Sequence, residues 1–315
     1  MYREARRIAS TLEDACATLA EGPRRAEVVL VDDGSDDATL EVVRPFVESM
    51  PRGNLLRVRL VRHESNKGKG AAVRTGLGEA SGAWRLIMDA DNSCRVAEVE
   101  RLFAALERER GASGGARASR TVAPPIALVC GSRRAPGAEV ERGAGRSAAS
   151  GLFRLALRVL GLALLEDTQC GFKLYRADLA SVIARAGRED RFAFDLEHLL
   201  IARRCGVPAL EVGVRWRHFD GGTVRPLRDG AHMLWRGVHI RLRGLLGRYD
   251  LARLGVDAGG AAGDARGRSA DDEDEGGGGA PVHGFVEARP LETGAVAGAV
   301  AGAGVRGYRP FHGHA

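Results

Sequence analysis

The 315-residue sequence lacks most features that mark a secreted or membrane-spanning protein. Its five cysteines are odd in number and widely scattered, so they indicate neither a disulfide framework nor a thiolate metal site. No apolar run is long enough to cross a bilayer, and no secretory signal peptide is visible. The scattered cysteines instead predict a reducing compartment. Aromatic residues make up only 5% and hydrophobic residues 44% of the chain, which predicts a globular fold built on Ala, Val and Leu.

Lysine is nearly absent. Of 47 basic residues only three are lysines, and two of them, Lys67 and Lys69, lie in one glycine-containing loop. A compact ammonium serves there where a planar guanidinium does not, so the scarcity marks this loop as a candidate anion site. The glycines would let backbone N–H groups approach an anion at the start of the following helix. A solvated turn is the alternative.

The charge is unevenly distributed along the chain. Residues 257–315 hold nine acidic and five basic residues, so the part before them carries +10 while the whole chain carries +6. A basic body favours a polyanionic partner, such as nucleotide phosphates or an anionic membrane surface. Because no basic stripe is interleaved with aromatic residues, we expect no nucleic-acid partner.

Two apolar segments end in pairs of carboxylates. One segment precedes Asp32 and Asp33, and Leu86–Met88 precedes Asp89 and Asp91. Buried parallel strands present such residues at their carboxyl ends, where ligands bind. The first pair could accept hydrogen bonds from a nucleoside, and the second could bind Mg²⁺ or Mn²⁺, which prefer hard oxygen ligands. A capped or solvated turn is the alternative in both places.

Strands and helices alternate over residues 1–250, which predicts one α/β domain with a mostly parallel sheet. Within it, 111–125 is rich in Gly, Ala and Ser and predicts a disordered insertion loop. Residues about 146–165 and 230–247 predict amphipathic helices, interpreted as interfacial helices on an anionic membrane, with a core or partner-docking helix as alternatives. Residues 257–315 predict a disordered, dispensable low-complexity tail.

The order of the motifs is more specific than any one of them. Asp-Asp-Gly-Ser-x-Asp, Asn-Lys-Gly-Lys-Gly, Asp-Ala-Asp, Gly-Ser-Arg, Asp-Thr-Gln-Cys-Gly-Phe-Lys-Leu and Phe-Asp-Leu-Glu follow one another, and this series resembles glycosyltransferase family 2 over roughly residues 2–245. The resemblance implies a single GT-A-like, Rossmann-related domain that binds a nucleotide sugar and inverts the anomeric carbon. It is greatest to members that transfer glucose from UDP-glucose to dolichyl phosphate, for protein N-glycosylation at the cytosolic face of the endoplasmic reticulum membrane. We expect this chain to be a peripheral protein there.

The resemblance also implies a role for each matching residue. Asp32 and Asp33 would bind the nucleoside, Lys67 and Lys69 would lie near the nucleotide, and Asp89 and Asp91 would hold the metal ion. The remaining residues would serve the sugar and the acceptor: Arg133 at the acceptor phosphate, Gln169 and Lys173 along the sugar, and Asp195 with Glu197 closing the site. The expected catalytic group is Asp91, Asp195, Arg133 and Lys173.

The sequence departs from the family at its start. The family opens with an apolar strand and a Tyr-Asn-Glu motif, whereas this sequence starts at Met1 and has Arg3 in place of Asn. We therefore expect a truncated N-terminus and a sheet that lacks its first, central strand. Two alternative functions remain open: a mannosyltransferase using GDP-mannose, and a catalytically silent, membrane-associated nucleotide-binding protein.

Overall fold

The computed structural model describes residues 1–48, 56–114, 126–141, 149–218, 226–249 and 296–300. A short 3₁₀ helix, Val96–Glu98, precedes α4. The helices are α1 (Ile8–Glu21), α2 (Thr39–Glu48), α3 (Lys69–Glu79), α4 (Val99–Gly114), α5 (Ala149–Val159), α6 (Ala177–Ala186), α7 (Phe194–Arg204) and α8 (Pro226–Leu245). The strands are β1 (Ala26–Asp32), β2 (Leu56–Arg62), β3 (Trp84–Met88), β4 (Leu128–Ser132), β5 (Glu139–Glu141), β6 (Lys173–Arg176), β7 (Ala209–Gly213), β8 (Arg215–Arg217) and β9 (Val296–Val300).

Seven strands form one sheet in the order β2-β1-β9-β3-β6-β4-β7. The pairs β1–β2, β1–β9, β3–β9 and β4–β7 are parallel, while β6 runs antiparallel to both β3 and β4. The predicted α/β class with a mostly parallel sheet is confirmed. β2, whose residues alternate between apolar and basic, is an edge strand, as its pattern predicts.

The sheet has a hydrophobic core on each face. β1 is buried along its whole length, and its alternate residues serve different cores. Val29 and Val31 pack in the core that contains residues of α3, α6 and α7, whereas Val28 and Leu30 pack in the core that contains residues of α1. This is the period-two alternation of a strand covered on both sides, so both faces require apolar residues.

The position between β1 and β3 is filled by β9. Val296–Val300 pairs with Ala26–Leu30 on one side and with Trp84–Met88 on the other, parallel to both. The sequence predicts a disordered tail here, and that prediction was wrong for these five residues. No strand precedes α1 in residues 1–48, so the predicted absence of the family's first strand fits the structure, and β9 occupies a central position of the sheet. The Gly-Ala-Val composition hides a strand because it lacks the alternation of apolar and polar residues that identifies a strand in a sequence. The rest of 257–315 lies outside the described residues.

Several predicted bounds also differ from the structure. Gly111–Gly114 continues α4 and is not part of an insertion loop, while residues 115–125 lie outside the described part. The helix predicted over about 146–165 ends at Val159, because the chain turns at Gly161 with φ +65°. The helix predicted over about 230–247 begins earlier and ends at Leu245.

Candidate active site

The predicted site residues gather at the carboxyl ends of β1 and β3 and in the segments that follow β4 and precede α7. Asp32 ends β1 and Asp33 follows it, while Asp89 follows β3 and Arg133 follows β4. The segment before β6 also reaches this edge, because a Cβ built at Gly171 would lie 2.3 Å from Oδ2 of Asp89. One end of the sheet therefore collects most of the predicted residues, as the parallel strands imply.

Asp33 is occupied by the protein's own groups. Its carboxylate accepts hydrogen bonds from the backbone N–H of Lys67 at 2.9 Å and of Gly68 at 2.7 Å, and it lies 2.8 Å from Nδ1 of His63. The other ring nitrogen of His63 lies 2.9 Å from the hydroxyl of Thr75 in α3. Asp33 is fully buried, so these contacts make it the residue that shapes the loop at 66–70.

Asp32 is the less satisfied of the pair. Its Oδ2 accepts the N–H of Ser35 at 3.2 Å and lies 3.5 Å from Nε of Arg62. Its Oδ1 is buried and finds no hydrogen-bond partner among the described residues. A buried carboxylate oxygen without a donor costs free energy, so this atom is available to a donor supplied by a ligand.

The glycines of the 66–70 loop serve protein contacts instead of an anion. The N–H of Gly70 donates to the carbonyl of Arg191 and that of Ala71 to the carbonyl of Asp190, each at 3.2 Å. A Cβ at Gly68 would lie 2.3 Å from the carbonyl oxygen of Asp190. The start of α3 is therefore satisfied by carbonyl groups, and the predicted capture of an anion by these backbone amides does not match the structure.

Lys69 is the cation that this loop delivers to the site. Its side chain is buried, and its ammonium forms an ion pair with Asp89. Burial alone would lower the pKa of Lys69, but the carboxylates of Asp89 and Asp195 outweigh it and raise the pKa. The ammonium thus stays charged within a cluster of acids. Lys67, in contrast, points its side chain to solvent.

Asp89 and Asp91 offer oxygen ligands for a divalent cation. Lys69 engages one oxygen of Asp89, and Oδ1 of Asp91 accepts the N–H of Ser93 at 3.0 Å. Both side chains are half-buried, and both supply the hard oxygen that Mg²⁺ and Mn²⁺ prefer. No cluster of three or more His, Cys, Asp or Glu ligands occurs among the described residues, so further ligands would come from a diphosphate and water.

Arg133 is paired with a residue to which the sequence assigns no role. Its Nε and one terminal nitrogen each donate to the carboxylate of Asp167 at 2.7 Å, a bidentate geometry, and its guanidinium lies over the ring of Trp216. Burial would raise the pKa of Asp167, but Arg133 lowers it to about 2. An acceptor phosphate would therefore meet an arginine that already has a partner.

Lys173 and Asp195 form the most buried pair of the site. Lys173 lies in β6, has no exposed surface, and donates to Asp195 and to the carbonyl of Cys170. Burial raises the pKa of Asp195, and the cations of Lys173 and Lys69 oppose that shift only in part. Asp195 begins α7 beside Phe194, whose ring lies 5.8 Å from the ammonium of Lys69. The pair thus joins β6 to the Lys69–Asp89 ion pair.

Gln169 and Glu197 are buried and differ in their contacts with the site. Gln169 donates its backbone N–H to Asp167 at 3.3 Å. Glu197 accepts the hydroxyl of Tyr249 at 2.6 Å and the backbone N–H groups of Arg188 and Glu189 at 2.8 Å. That Glu197 closes the site stays a prediction.

Sequence inspection missed three contributors. His63, Asp167 and the strand β6 all hold predicted site residues in place. His63 directly follows β2 at the same sheet edge, which is a positional signal, and Asp167 lies inside the most specific motif. β6 gave no signal, because its four residues begin with a lysine that is buried only through its pairing with Asp195.

The exposed large apolar side chains of the described residues lie at one pair of helices. They lie on α5, on α8 and at the residue after α8, and the two helices pack against each other. We call this surface the apolar patch: Leu155, Val159, Trp235, Val238, Leu242, Leu245 and Leu246, exposed by 38% to 79%. In the part of the chain that the structure describes, no helix has the length and apolar content needed to span a membrane.

Comparisons with known proteins place these observations in context. Residues 1–181 match the family model described as glycosyl transferase family 2. The chain is 31% identical over 262 residues to the dolichyl-phosphate β-glucosyltransferase of Dictyostelium discoideum, covering 79% of this chain and 74% of that protein. It is 32% identical over 253 residues to the same-named protein of Saccharomyces cerevisiae, with the same two coverages.

A solved structure agrees on the fold. Mannosyl-3-phosphoglycerate synthase from Rubrobacter xylanophilus superposes with a TM-score of 0.50 at 18% identity, covering 81% of this chain and 72% of that one. At this identity the likeness concerns the fold alone.

Proposed function

The chain belongs to glycosyltransferase family 2 and is a glycosyltransferase, and from that premise we propose that it transfers glucose from UDP-glucose to dolichyl phosphate. The observation that carries the proposal is the set of relatives near 30% identity, over about 79% of the chain, that bear the name dolichyl-phosphate β-glucosyltransferase. The product, dolichyl β-D-glucosyl phosphate, would serve protein N-glycosylation. The enzyme would act at the cytosolic face of the endoplasmic reticulum membrane.

The reaction requires little proton transfer. An anionic oxygen of dolichyl phosphate attacks C1 of glucose, the bond from C1 to the UDP oxygen breaks on the opposite face, and UDP leaves with the bonding electrons. The nucleophile is already charged, so a strong general base is unnecessary. The chain's task is to hold both substrates in line and to stabilise the charge that grows on the diphosphate.

Each described site residue is suited to one of these tasks. Asp32, with its unpartnered buried oxygen, is suited to accept a donor group of the nucleoside, while Asp33 shapes the adjoining loop. Lys69 would stabilise the departing diphosphate. Asp195, held by Lys173, would orient a sugar hydroxyl. Gln169 would line the sugar side, and Arg133 would approach the acceptor phosphate while keeping its bond to Asp167.

Asp89 and Asp91 are the residues that would hold Mg²⁺ or Mn²⁺. Such an ion, when bound, offsets the negative charge that develops on the leaving diphosphate. Lys69 lies on the same carboxylate and contributes positive charge from the protein side. The negative charges of Asp89 and Asp91 would therefore be balanced by the ammonium of Lys69 and by the bound metal ion.

The apolar patch supports access to a lipid-borne acceptor. Amphipathic helices that combine exposed Leu and Trp with basic residues bind in the headgroup region of anionic membranes. In the patch, Trp235 and Leu242 lie on α8, and the exposed Arg158 and Arg248 flank it. A peripheral enzyme held this way would meet dolichyl phosphate in the plane where its headgroup lies.

A donor panel tests the proposal. Purified protein in vesicles containing dolichyl phosphate is given radiolabelled UDP-glucose or GDP-mannose with Mg²⁺ or Mn²⁺, and label in the lipid fraction is counted. We expect transfer from UDP-glucose and little from GDP-mannose. Preferential mannose transfer would replace the assignment with the mannosyl one, and UDP binding without transfer would indicate the catalytically silent alternative.

A further inference from the structure

Two buried glutamates connect α8 to the loop of residues 187–191, which we call the connecting loop. Arg236 of α8 donates from Nε to Oε2 of Glu189 at 2.7 Å, and Tyr249 donates its hydroxyl to Oε1 of Glu197 at 2.6 Å. Glu189 is 1% exposed and Glu197 is fully buried. Buried carboxylates need such partners, so these contacts fix where α8 lies relative to the loop.

Glu197 also holds the connecting loop directly. Its second oxygen accepts the backbone N–H groups of Arg188 and Glu189, both at 2.8 Å. Glu189 in turn accepts the N–H of Arg191 at 3.1 Å. One carboxylate therefore binds α8's distal end through Tyr249 and the loop's backbone at the same time.

The opposite side of the connecting loop is in close contact with the start of α3. Besides the hydrogen bonds from Gly70 and Ala71, Arg74 donates to the carbonyl of Glu189 at 2.8 Å. A Cβ at Gly70 would lie 2.2 Å from that same carbonyl oxygen. The contact is so close that a shift of the loop would move the first turn of α3 with it.

Lys69 is the first residue of α3. Resting on the proposed function, we infer that Glu189 and Glu197 are positioning residues: they transmit the position of the patch-bearing helix α8 through the connecting loop to Lys69, and so set its ammonium against Asp89 and the donor diphosphate. The inference gives Glu197 a role different from substrate binding. It also gives the glycines at 68 and 70 a role as close-contact points. Misplacement of such a charge by about 1 Å can cost about a hundredfold in rate.

Two arginine variants on α8 test the inference. Arg236→Gln removes the bond to Glu189, while Arg241→Gln, five residues further along α8 and beside Gly161, removes the same charge without touching the loop. Glucose transfer is measured at saturating UDP-glucose with a short-chain polyprenyl phosphate in detergent, where vesicle affinity plays no part. We expect kcat to fall about tenfold for Arg236→Gln, as for loss of one charge-assisted hydrogen bond, and to stay within about twofold for Arg241→Gln.

A cycle with Lys69 separates positioning from simple structural damage. Lys69→Met lowers kcat by itself. In that background Arg236→Gln should have no further effect, because the ammonium whose position Arg236 is proposed to affect is already absent. If Arg236→Gln lowered kcat by the same factor with and without Lys69, the inference would be overturned. Equal kcat for Arg236→Gln and Arg241→Gln would overturn it as well.

Thermal unfolding of every variant is recorded alongside. Should Arg236→Gln fail to fold, Tyr249→Phe takes its place in the same cycle with the same expected result. Absence of glucosyl transfer by the wild-type protein would count against the proposed function, whereas an active wild type with an additive cycle counts against the inference alone.

Discussion

At the scale of the residue, the site is organised by carboxylates that the protein has already paired. Asp33 accepts two backbone N–H groups and faces His63, Asp89 faces Lys69, Asp167 faces Arg133, and Asp195 faces Lys173. Each pair offsets the cost of burying a charge at a sheet edge. The unpartnered oxygen of Asp32 is the exception, and it therefore indicates where a ligand group should bind.

The Asp167–Arg133 pair makes stability depend on pH. The folded pKa of Asp167 is about 2, below its ordinary value of 3.8, so its contribution is full above about pH 4 and is lost as the pH falls towards 2. We predict that Asp167→Asn lowers the free energy of unfolding at pH 7 by about 2 kcal/mol or more. Urea titrations should show the difference from wild type shrinking between pH 4 and pH 2, and a constant difference would argue against the pair.

At the scale of the element, the contact between α3 and the connecting loop carries the most specific claim. Gly70 and Gly78 both lie in α3, but a Cβ at Gly70 meets a carbonyl oxygen at 2.2 Å, while one at Gly78 meets only Ala184 at an ordinary 3.7 Å. We predict that Gly70→Ala destabilises the fold by about 1–3 kcal/mol through overpacking. Gly78→Ala should be neutral or stabilising by up to about 1 kcal/mol. Chemical denaturation of both variants gives the two changes in the free energy of unfolding. Equal changes would show that the connecting loop moves away from the added methyl group at no cost.

The apolar patch is the second element with a measurable consequence. Leu245 is 62% exposed at the end of α8, so Leu245→Ser should weaken binding to anionic vesicles about tenfold, as for the loss of one leucine's burial. Ala17→Ser on α1, exposed and outside the patch, is the control. Flotation with vesicles of known composition gives the partition coefficients. Unchanged binding by the Leu245 variant would remove the patch from the membrane contact.

How far the sequence could predict the site differs from element to element. Apolar runs that end in Asp32 and in Asp89 correctly predict strands meeting at one edge, because that inference needs only local pattern and chain topology. The glycines at 68 and 70 have the same local signal whether an anion or a carbonyl group approaches them, so the sequence could not choose. Lys173 resembles a surface residue until Asp195, 22 positions away, is known to face it.

At the scale of the whole molecule, the sheet depends on a strand from near the end of the chain. Because β9 pairs with both β1 and β3, it joins the half of the sheet that bears Asp32 to the half that bears Lys173. A long-range pairing of this kind leaves no local signature in the sequence, so the composition of the tail predicts disorder where β9 forms. The site therefore forms only when residues far apart along the chain have come together.

A proline in β9 tests this dependence. Gly298→Pro removes a backbone donor and adds a ring within a strand that has neighbours on both sides, so we predict a loss of about 3 kcal/mol or more in the free energy of unfolding. Gly298→Ala, which keeps the backbone donor, is the control. Urea unfolding followed by circular dichroism gives both values, and equal stability of the two variants would contradict the central position of β9.

The central claim is that glucosyl transfer occurs where Asp89, Asp91 and Lys69 meet. The most direct measurement is the rate of transfer of labelled glucose from UDP-glucose to dolichyl phosphate by wild type and by Asp91→Ala, with circular dichroism to verify that the variant is folded. Because Asp91 is proposed to supply an oxygen ligand and lies outside the hydrophobic core, we predict at least a hundredfold loss of metal-dependent transfer with an unchanged fold, about 2.7 kcal/mol or more in transition-state stabilisation. Near-wild-type transfer by the folded variant would contradict the account.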